Sequence, residues 1–393
     1  MKLLVVGLGQ CGSRIADEFA NLNKIARAQR GIDIVPGAFA VNTDSADLSG
    51  LKYIKADYNH RILIGGRKTN GHGVGKINEL GAEVARSDGD KVIDSIRSVK
   101  SLFEADAFML VASAGGGTGS GSIAVITKLV KERWPDMPVY DTIVLPFEHE
   151  QATEEKTIYN CATCLKAVNS VADAIFLVDN QRYVAKDFSL MNNLSKVNSM
   201  IVSPFYNMLC AGEEKKQQFI GAKTLDAGDI MATISGWSVI GYGQSDIGRM
   251  RLPFDQNSKN FINKSHETHK GIQAMDSAIA DLSLGCNPAD AGRALYLITA
   301  PVREMNMDMV KEIGDYVRDI CPQATIRSGD YPREKGNLDV TLILSELKQV
   351  EKVKKYFERS TKYIPEVKRR REATSDSLKD LEDASKDIPS LLE

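Results

Sequence analysis

A chain of 393 residues is too long for one ordinary hydrophobic core and predicts two domains with extra segments. The formal net charge of −2, with 26% of residues charged, gives no excess that would draw nucleic acid or an anionic membrane surface. Six cysteines (Cys11, Cys161, Cys164, Cys210, Cys286, Cys321) scattered over this length argue against a disulfide framework, so all six are read as thiols in a reducing compartment. Glycines interrupt the opening "KLLVVGLGQCG" far short of a signal-peptide core, and no later run reaches the apolar length of a membrane span. The expected protein is cytoplasmic, with no direct membrane insertion.

Short apolar runs then alternate with longer amphipathic ones. "KLLVV" precedes "GSRIADEFANLNKIARAQ", and "GAFAVN" follows. "DAFMLVA" precedes "SIAVITKLVKERW", and "PVYDTIVLPF" precedes a helical stretch from Glu154 to Val171 and then "DAIFLVD". Val- and Ile-rich strands alternating with helices predict βαβ units, hence an α/β, Rossmann-like domain with a mostly parallel sheet over residues 1–186. Residues 187–225 hold a long core helix and the loop after it, with Pro204 placed to kink or split the helix. "GWSVIGYG", a helix around His266 to Leu282, "ALYLITAP", a helix from Asp308 to Ile320, "QATIRSGDYP" and "LDVTLILSEL" predict a smaller α+β domain over 226–347. Residues 348–393 are charged, and their composition cannot bury enough surface to order itself alone. Within that tail, "DIPSLLE" carries an apolar cluster, and residues 388–393 are a candidate docking peptide for another protein.

Two glycine clusters fall at strand-to-helix junctions. Gly7, Gly9 and Gly12 fit G-x-G-x-x-G, where a helix N-terminus offers unpaired N–H groups and partial positive charge to a phosphate. Alone, that cluster fits a tight turn, a dinucleotide site or another nucleotide site equally well. The second cluster, "SAGGGTGSGS", changes the balance, because a dinucleotide dehydrogenase needs only one such loop. Its Thr118 and Ser120 hydroxyls add donors at the start of the next helix. A third piece, "TNGHGVGKINELG", fails as a P-loop: Asn70 stands where a glycine is needed and Ile77 where a magnesium-binding hydroxyl is needed. Cys161 and Cys164 form a C-x-x-C with no second pair or nearby histidine, and "HETH" is not H-E-x-x-H, so no metal site is expected.

Together these loops resemble the tubulin/FtsZ superfamily of GTP-dependent filament-forming proteins, whose signature "GGGTGSG" is carried without departure by Gly115 to Gly121. "GLGQCG" is similar to that family's first phosphate loop, "AVNTDSADL" to its second and "GHGVGKINELG" to its third. The resemblance continues through "LPFEHE", "VDNQRY" and "TLDAGDI", over roughly residues 1–347, and within the superfamily it is strongest to the archaeal CetZ group associated with cell shape.

The resemblance implies a tubulin/FtsZ fold that binds GTP or GDP with Mg²⁺. Gly9, Gln10, Cys11, Gly12, Ser13, Arg14, Asp44, Gly71, Gly73 and Gly115, Gly116, Gly117, Thr118, Gly119 are expected to line the phosphates. Glu150 is expected at the sugar, and Asn180 and Asn198 at the guanine edge, where an amide pairs a donor and an acceptor. The helix register leaves Asn192 and Asn193 as alternatives to Asn198. Two positions depart from FtsZ: Glu154 replaces an arginine and Thr224 an asparagine.

Asp226 and Asp229 stand three apart at a helix start. By themselves they read as helix-capping acids. The resemblance implies instead that they are catalytic and act in trans, one subunit's pair reaching the nucleotide of the next. The expected partner is therefore a second copy of the chain in a longitudinal filament. A GTP-binding regulatory scaffold that forms no filament alone is the alternative, and an NAD-dependent oxidoreductase would leave the second glycine loop unexplained.

Overall fold

The computed structural model describes residues 1–186, 193–245, 261–305, 307–334, 336–362 and 365. The apolar runs become strands β1 (Leu3–Leu8), β2 (Gly37–Asn42), β3 (Arg61–Leu63), β4 (Ala107–Ser113), β5 (Val139–Leu145) and β6 (Ala174–Asp179). They pair in parallel in the order β3-β2-β1-β4-β5-β6, the arrangement of a doubly wound nucleotide-binding sheet. β1, β5 and β6 are buried along their whole length, which is why they read as continuous apolar runs rather than alternating ones.

The two faces of the sheet divide by residue parity. Leu4, Val6 and Leu8 of β1 pack with Leu110 and Ala112 of β4 against α4 (Asn78–Arg97), α5 (Thr118–Arg133) and α7 (Glu155–Asn169). Leu3 and Val5, with Met109 and Val111, face α1 (Gly9–Arg30), α9 (Leu194–Val202) and α10 (Phe205–Ala211). Phe205 anchors that second face, meeting Phe19 edge-on at 5.5 Å and Phe176 at 5.4 Å between ring centroids. Pro204 splits the core helix where the sequence predicts, closing α9 and opening α10. The helical stretch expected from Glu154 to Val171 is α7, and a short helix the sequence reading does not name, α6 (Glu148–Thr153), precedes it with Glu154 extended between them.

The sheet continues through β7 (Gly236–Ser245), which pairs parallel with β6 over Ala174 to Phe176. β10 (Leu338–Ser345) is antiparallel to β7 and to β8 (Arg293–Pro301), and β9 (Thr325–Arg333) closes the order beside β8. Helices α12 (Phe261–Ala280) and α13 (Met307–Ile320) cover this half. The short helices α2 (Ser45–Ser49), α3 (Gly66–Thr69), α8 (Asn180–Lys186) and α11 (Ala227–Thr233) complete the described elements that bear on the site.

One expectation is corrected at the C-terminus. Residues 351–362, assigned from composition to a segment unable to order itself, are helical. Val350, Val353 and Tyr356 fall three apart and are buried together, so a sparse apolar stripe finds its partner surface on the rest of the molecule. The remaining tail, including the candidate docking peptide 388–393, lies outside the described residues. So do Asn192 and the side chains of "HETH".

Candidate functional site

The carboxyl ends of the parallel strands surround a cavity of about 350 Å³. Leu8, Gly9, Gln10, Cys11 and Arg14 reach it from the β1–α1 junction, and Ser113 with Gly115 to Gly119 from the β4–α5 junction. Two long helices therefore begin here, and neither has a side-chain cap or an acid in its first turn. Their first N–H groups, and the positive ends of their dipoles, are left for something anionic. The two loops are in backbone contact: a Cβ added to Gly9, whose φ is 69°, would stand 2.8 Å from the Gly119 nitrogen. A Cβ on Gly116 would meet no protein atom within 4 Å, so that glycine opens onto the cavity.

The loop hydroxyls do less than the sequence suggests. Thr118 shares a 2.6 Å hydrogen bond with Thr43, and Ser120 donates back to the Gly116 carbonyl and to Gly117 at 3.4 Å. Ser120 thus fixes the loop's shape instead of adding a donor to its mouth, while Thr118 ties the loop to Thr43 and still lines the cavity. Asn160 on α7 holds the same loop from outside, donating to the carbonyls of Gly116 (2.9 Å), Gly115 (3.3 Å) and Lys76 (3.1 Å).

The remaining walls come from the second and third loops and from α6, α7, α8 and α9 with the residues just before them. Asp44 caps α2 by accepting from the Ala46 and Asp47 amides through Oδ1 at 2.9 and 3.1 Å. Asp47 receives Gln10 Nε2 at 2.6 Å, which locks the first and second loops together. Glu150 on α6 accepts from the Phe147 amide at 2.9 Å. Asn180, the first residue of α8, has a buried Oδ1 with no partner. Asn198 on α9 is buried in the wall, whereas Asn193 accepts from the Lys196 amide as the cap of α9, which decides between those two amides. Burial, and then the Glu150 carboxylate, push the Cys11 thiol up to about 12, so it stays protonated at neutral pH.

Of the residues singled out in sequence, Gly12, Ser13 and Gly71 stand behind the lining. A Cβ on Gly12 would meet the Val111 carbonyl at 2.0 Å, Ser13 donates to the Gly7 carbonyl at 3.4 Å, and the Gly71 carbonyl accepts from the Ser45 amide at 3.1 Å. Sequence reasoning missed Asn42, Asp47, Phe147, Thr157, Leu194 and Val197 as lining residues. It set aside Lys76, which lines the cavity at φ 58° and pairs with Glu154 at 2.6 Å. The acid at Glu154 thus has its own cation on the third loop.

Asp226 and Asp229 are elsewhere. Asp226 caps α11, accepting from the Asp229 amide at 2.8 Å, and Asp229 pairs with Arg327 at 3.1 Å. The segment before them is strapped to β9, with Asp330 accepting from the Ala222 and Lys223 amides at 2.8 and 2.5 Å. α11 leads directly into Gly236, which pairs with Ala174 at the amino end of β6, while Asn180 follows that strand's carboxyl end. Six extended residues put the acids and the cavity about 20 Å apart, on opposite edges of the sheet.

A doubly wound sheet with two glycine-rich junctions at one cavity defines a nucleotide-binding α/β protein. The comparisons narrow this. The family model "Tubulin/FtsZ family, GTPase domain" matches residues 2–185, and "Tubulin-like CetZ, C-terminal domain" matches 187–362. The tubulin-like protein CetZ1 of Haloferax volcanii is 32% identical over 346 residues, 84% of each chain. Its structure as a GDP-bound monomer superposes with TM-score 0.77 at 28% identity, over 92% of this chain and 99% of that one. CetZ2 of the same organism, solved as a GTPγS-bound protofilament, gives TM-score 0.78 at 28% identity, over 94% and 100%. The chain belongs to the CetZ family of the tubulin/FtsZ superfamily, a group of GTP-binding cytoskeletal proteins. Among the described residues no helix is long and apolar enough to cross a membrane.

Proposed function

We propose that the chain binds GTP at the carboxyl edge of its sheet and hydrolyses it to GDP and phosphate only when a second copy stacks on it head to tail. The observation that carries this reading is the separation of Asp226 and Asp229 from the cavity within one chain. The uncapped starts of α1 and α5 favour the phosphates. The unpartnered Oδ1 of Asn180 suits the N1–H of guanine, which adenine lacks, with Asn198 as the second amide. Glu150, in the cavity wall, is the group that would accept from the sugar hydroxyls. Mg²⁺ fits beside the phosphates at Asp44, whose Oδ2 takes no part in the α2 cap, and there it would neutralise charge on them.

In the stacked pair, Asp229 leaves Arg327 and accepts a hydrogen bond from the attacking water, and the Asp226 carboxylate polarises it further. The contact joins two different surfaces of one molecule, so it repeats without closing and gives a filament. The CetZ2 protofilament is a relative's example of such stacking. A role in cell shape follows from the CetZ resemblance.

The test is GTP turnover per chain against protein concentration. A cooperative rise above a threshold, coincident with light scattering, is expected. Turnover that is linear in protein from the lowest concentration would overturn the trans site, and GTP binding without turnover at any concentration would favour a regulatory scaffold.

A further inference from the structure

A second cavity, of about 520 Å³, lies on the other side of α6 from the nucleotide cavity. Its walls are α6, the start of α8, the turn at Leu284 and Gly285, and the helical segment 351–362. Two buried hydrogen-bond donors here lack partners: the hydroxyl of Tyr356, a residue 2% exposed, and Nε of Arg182. Gln151 stands beside Tyr356 and offers an N–H to its oxygen, which leaves the phenol's own proton without an acceptor. Gln151 Nε2 also donates to the Pro146 carbonyl at 3.1 Å, and Oε1 accepts from Arg359 at 3.1 Å. Arg182 spends one arm on the Ala280 carbonyl at 2.7 Å. A buried donor left unpaired costs free energy, so both groups call for an acceptor.

The charges say which kind. Lys352 and Asp179 neutralise each other at 2.5 Å. That leaves Arg182, Lys355 and Arg359 against Glu148 and Glu351, one positive charge in excess, with Arg182 the one of the five that is half-buried and the other four exposed. The balance and the two orphaned donors both favour an anion, and the volume suits a small molecule.

We propose that this cavity is a second ligand site that takes a small dianion bearing phosphate or carboxylate groups, and that its occupant acts on the nucleotide cavity through α6. The helix turns Glu148 and Gln151 to one cavity and Glu150 to the other, and the end of β6 likewise gives Asp179 to one and Asn180 to the other. A ligand held between α6 and the segment 351–362 would therefore restrain the wall that carries Glu150. The coupling rests on the nucleotide reading above; the binding does not.

Calorimetric titration of the whole protein at constant ionic strength, with and without saturating GDP, tests the binding. The probes are inorganic phosphate and citrate. Saturable binding of at least one is expected, weakened about fivefold or more by Tyr356→Phe and by Lys355→Gln, while Tyr356→Phe leaves the ligand-free Tm unchanged or higher. Phosphate alone binding assigns a phosphoryl ligand, and citrate alone a polycarboxylate. Binding by neither, or equal affinity in the wild type and both variants, overturns the site. For the coupling, the bound probe should change the GDP release rate about twofold or more in the wild type and not in Lys355→Gln. Identical release rates with the probe bound would overturn the coupling alone.

Discussion

The carboxyl edge of the parallel sheet and its amino edge handle their polar groups in opposite ways. At the carboxyl edge α1 and α5 start without caps, and Asn180 Oδ1 and Thr157 Oγ1 are buried without partners. At the amino edge Asp226 caps a helix, Asp229 has Arg327, and Asp330 holds two amides. Unmet polar groups that line a cavity favour a ligand there, because a buried donor or acceptor without a partner costs free energy until something completes it. Carboxylates held in place by their own fold mark a surface that presents charge to something outside. On the function proposed above, one chain carries both halves of the site and cannot close them on itself.

The largest expected effect separates the halves by mutation. Asp229→Ala should keep nucleotide binding and lose turnover by about a hundredfold or more. Gly116→Glu should fold, since its side chain starts in open space, but fill the cavity and bind no nucleotide. Mixed in equal amounts, the two inactive variants should regain activity at roughly a quarter of random junctions, where an intact cavity meets intact acids. No recovery in the mixture, with both variants folded, would contradict a shared site.

A smaller effect probes the loop contact. Gly9→Ala forces a positive φ on a side chain that points at the Gly119 nitrogen, so nucleotide affinity should fall about tenfold and the Tm should drop with it. Unchanged affinity would mean that the contact between the two loops does not shape the phosphate site. Smaller again, Asn180→Ala should cost GTP about tenfold in affinity and narrow its preference over ATP, read by competition binding. An equal loss for both nucleotides would remove Asn180 from the base edge.

The smallest effect lies between the edges. Asp141 in mid-β5 is fully buried, accepting from Thr127 at 2.8 and 3.0 Å, and burial raises its carboxyl well above the ordinary 3.8. Below the ordinary value both folded and unfolded chains are protonated there, and the site carries no penalty. As pH rises above it the unfolded chain ionises first, so stability falls toward the folded value. Asp141→Asn should therefore raise stability at pH 7 by about 1 kcal/mol or more, with the gain vanishing near pH 3. A gain that is the same at both pH values would show that Asp141 is ionised in the fold.

Much of this could be read from the chain. The strands are visible because a sheet covered on both faces needs unbroken apolar runs, and β1, β5 and β6 are such runs. The split at Pro204 and the capping chemistry of Asp226 are local consequences of residue type. Contacts between distant positions were not legible. Asn160 staples a loop 44 residues away, and Lys76 meets Glu154 across 78 residues, with nothing local in either segment to announce it. The helix over 351–362 escaped notice because its apolar stripe is too sparse to order itself, and only the surface it lies on makes it worth forming.

The sequence by itself determined the parallel sheet, the two glycine junctions at the ends of its strands, and the presence of an acid pair far along the chain. Those follow from local conformational preference and from the spacing of apolar residues. Only the tertiary structure decided that Asn198 and not Asn193 reaches the cavity, that Ser120 turns back onto its own loop, and that the acids sit on the far edge. Each of these depends on how whole elements pack, and packing is a property of surfaces that meet only once the chain has folded.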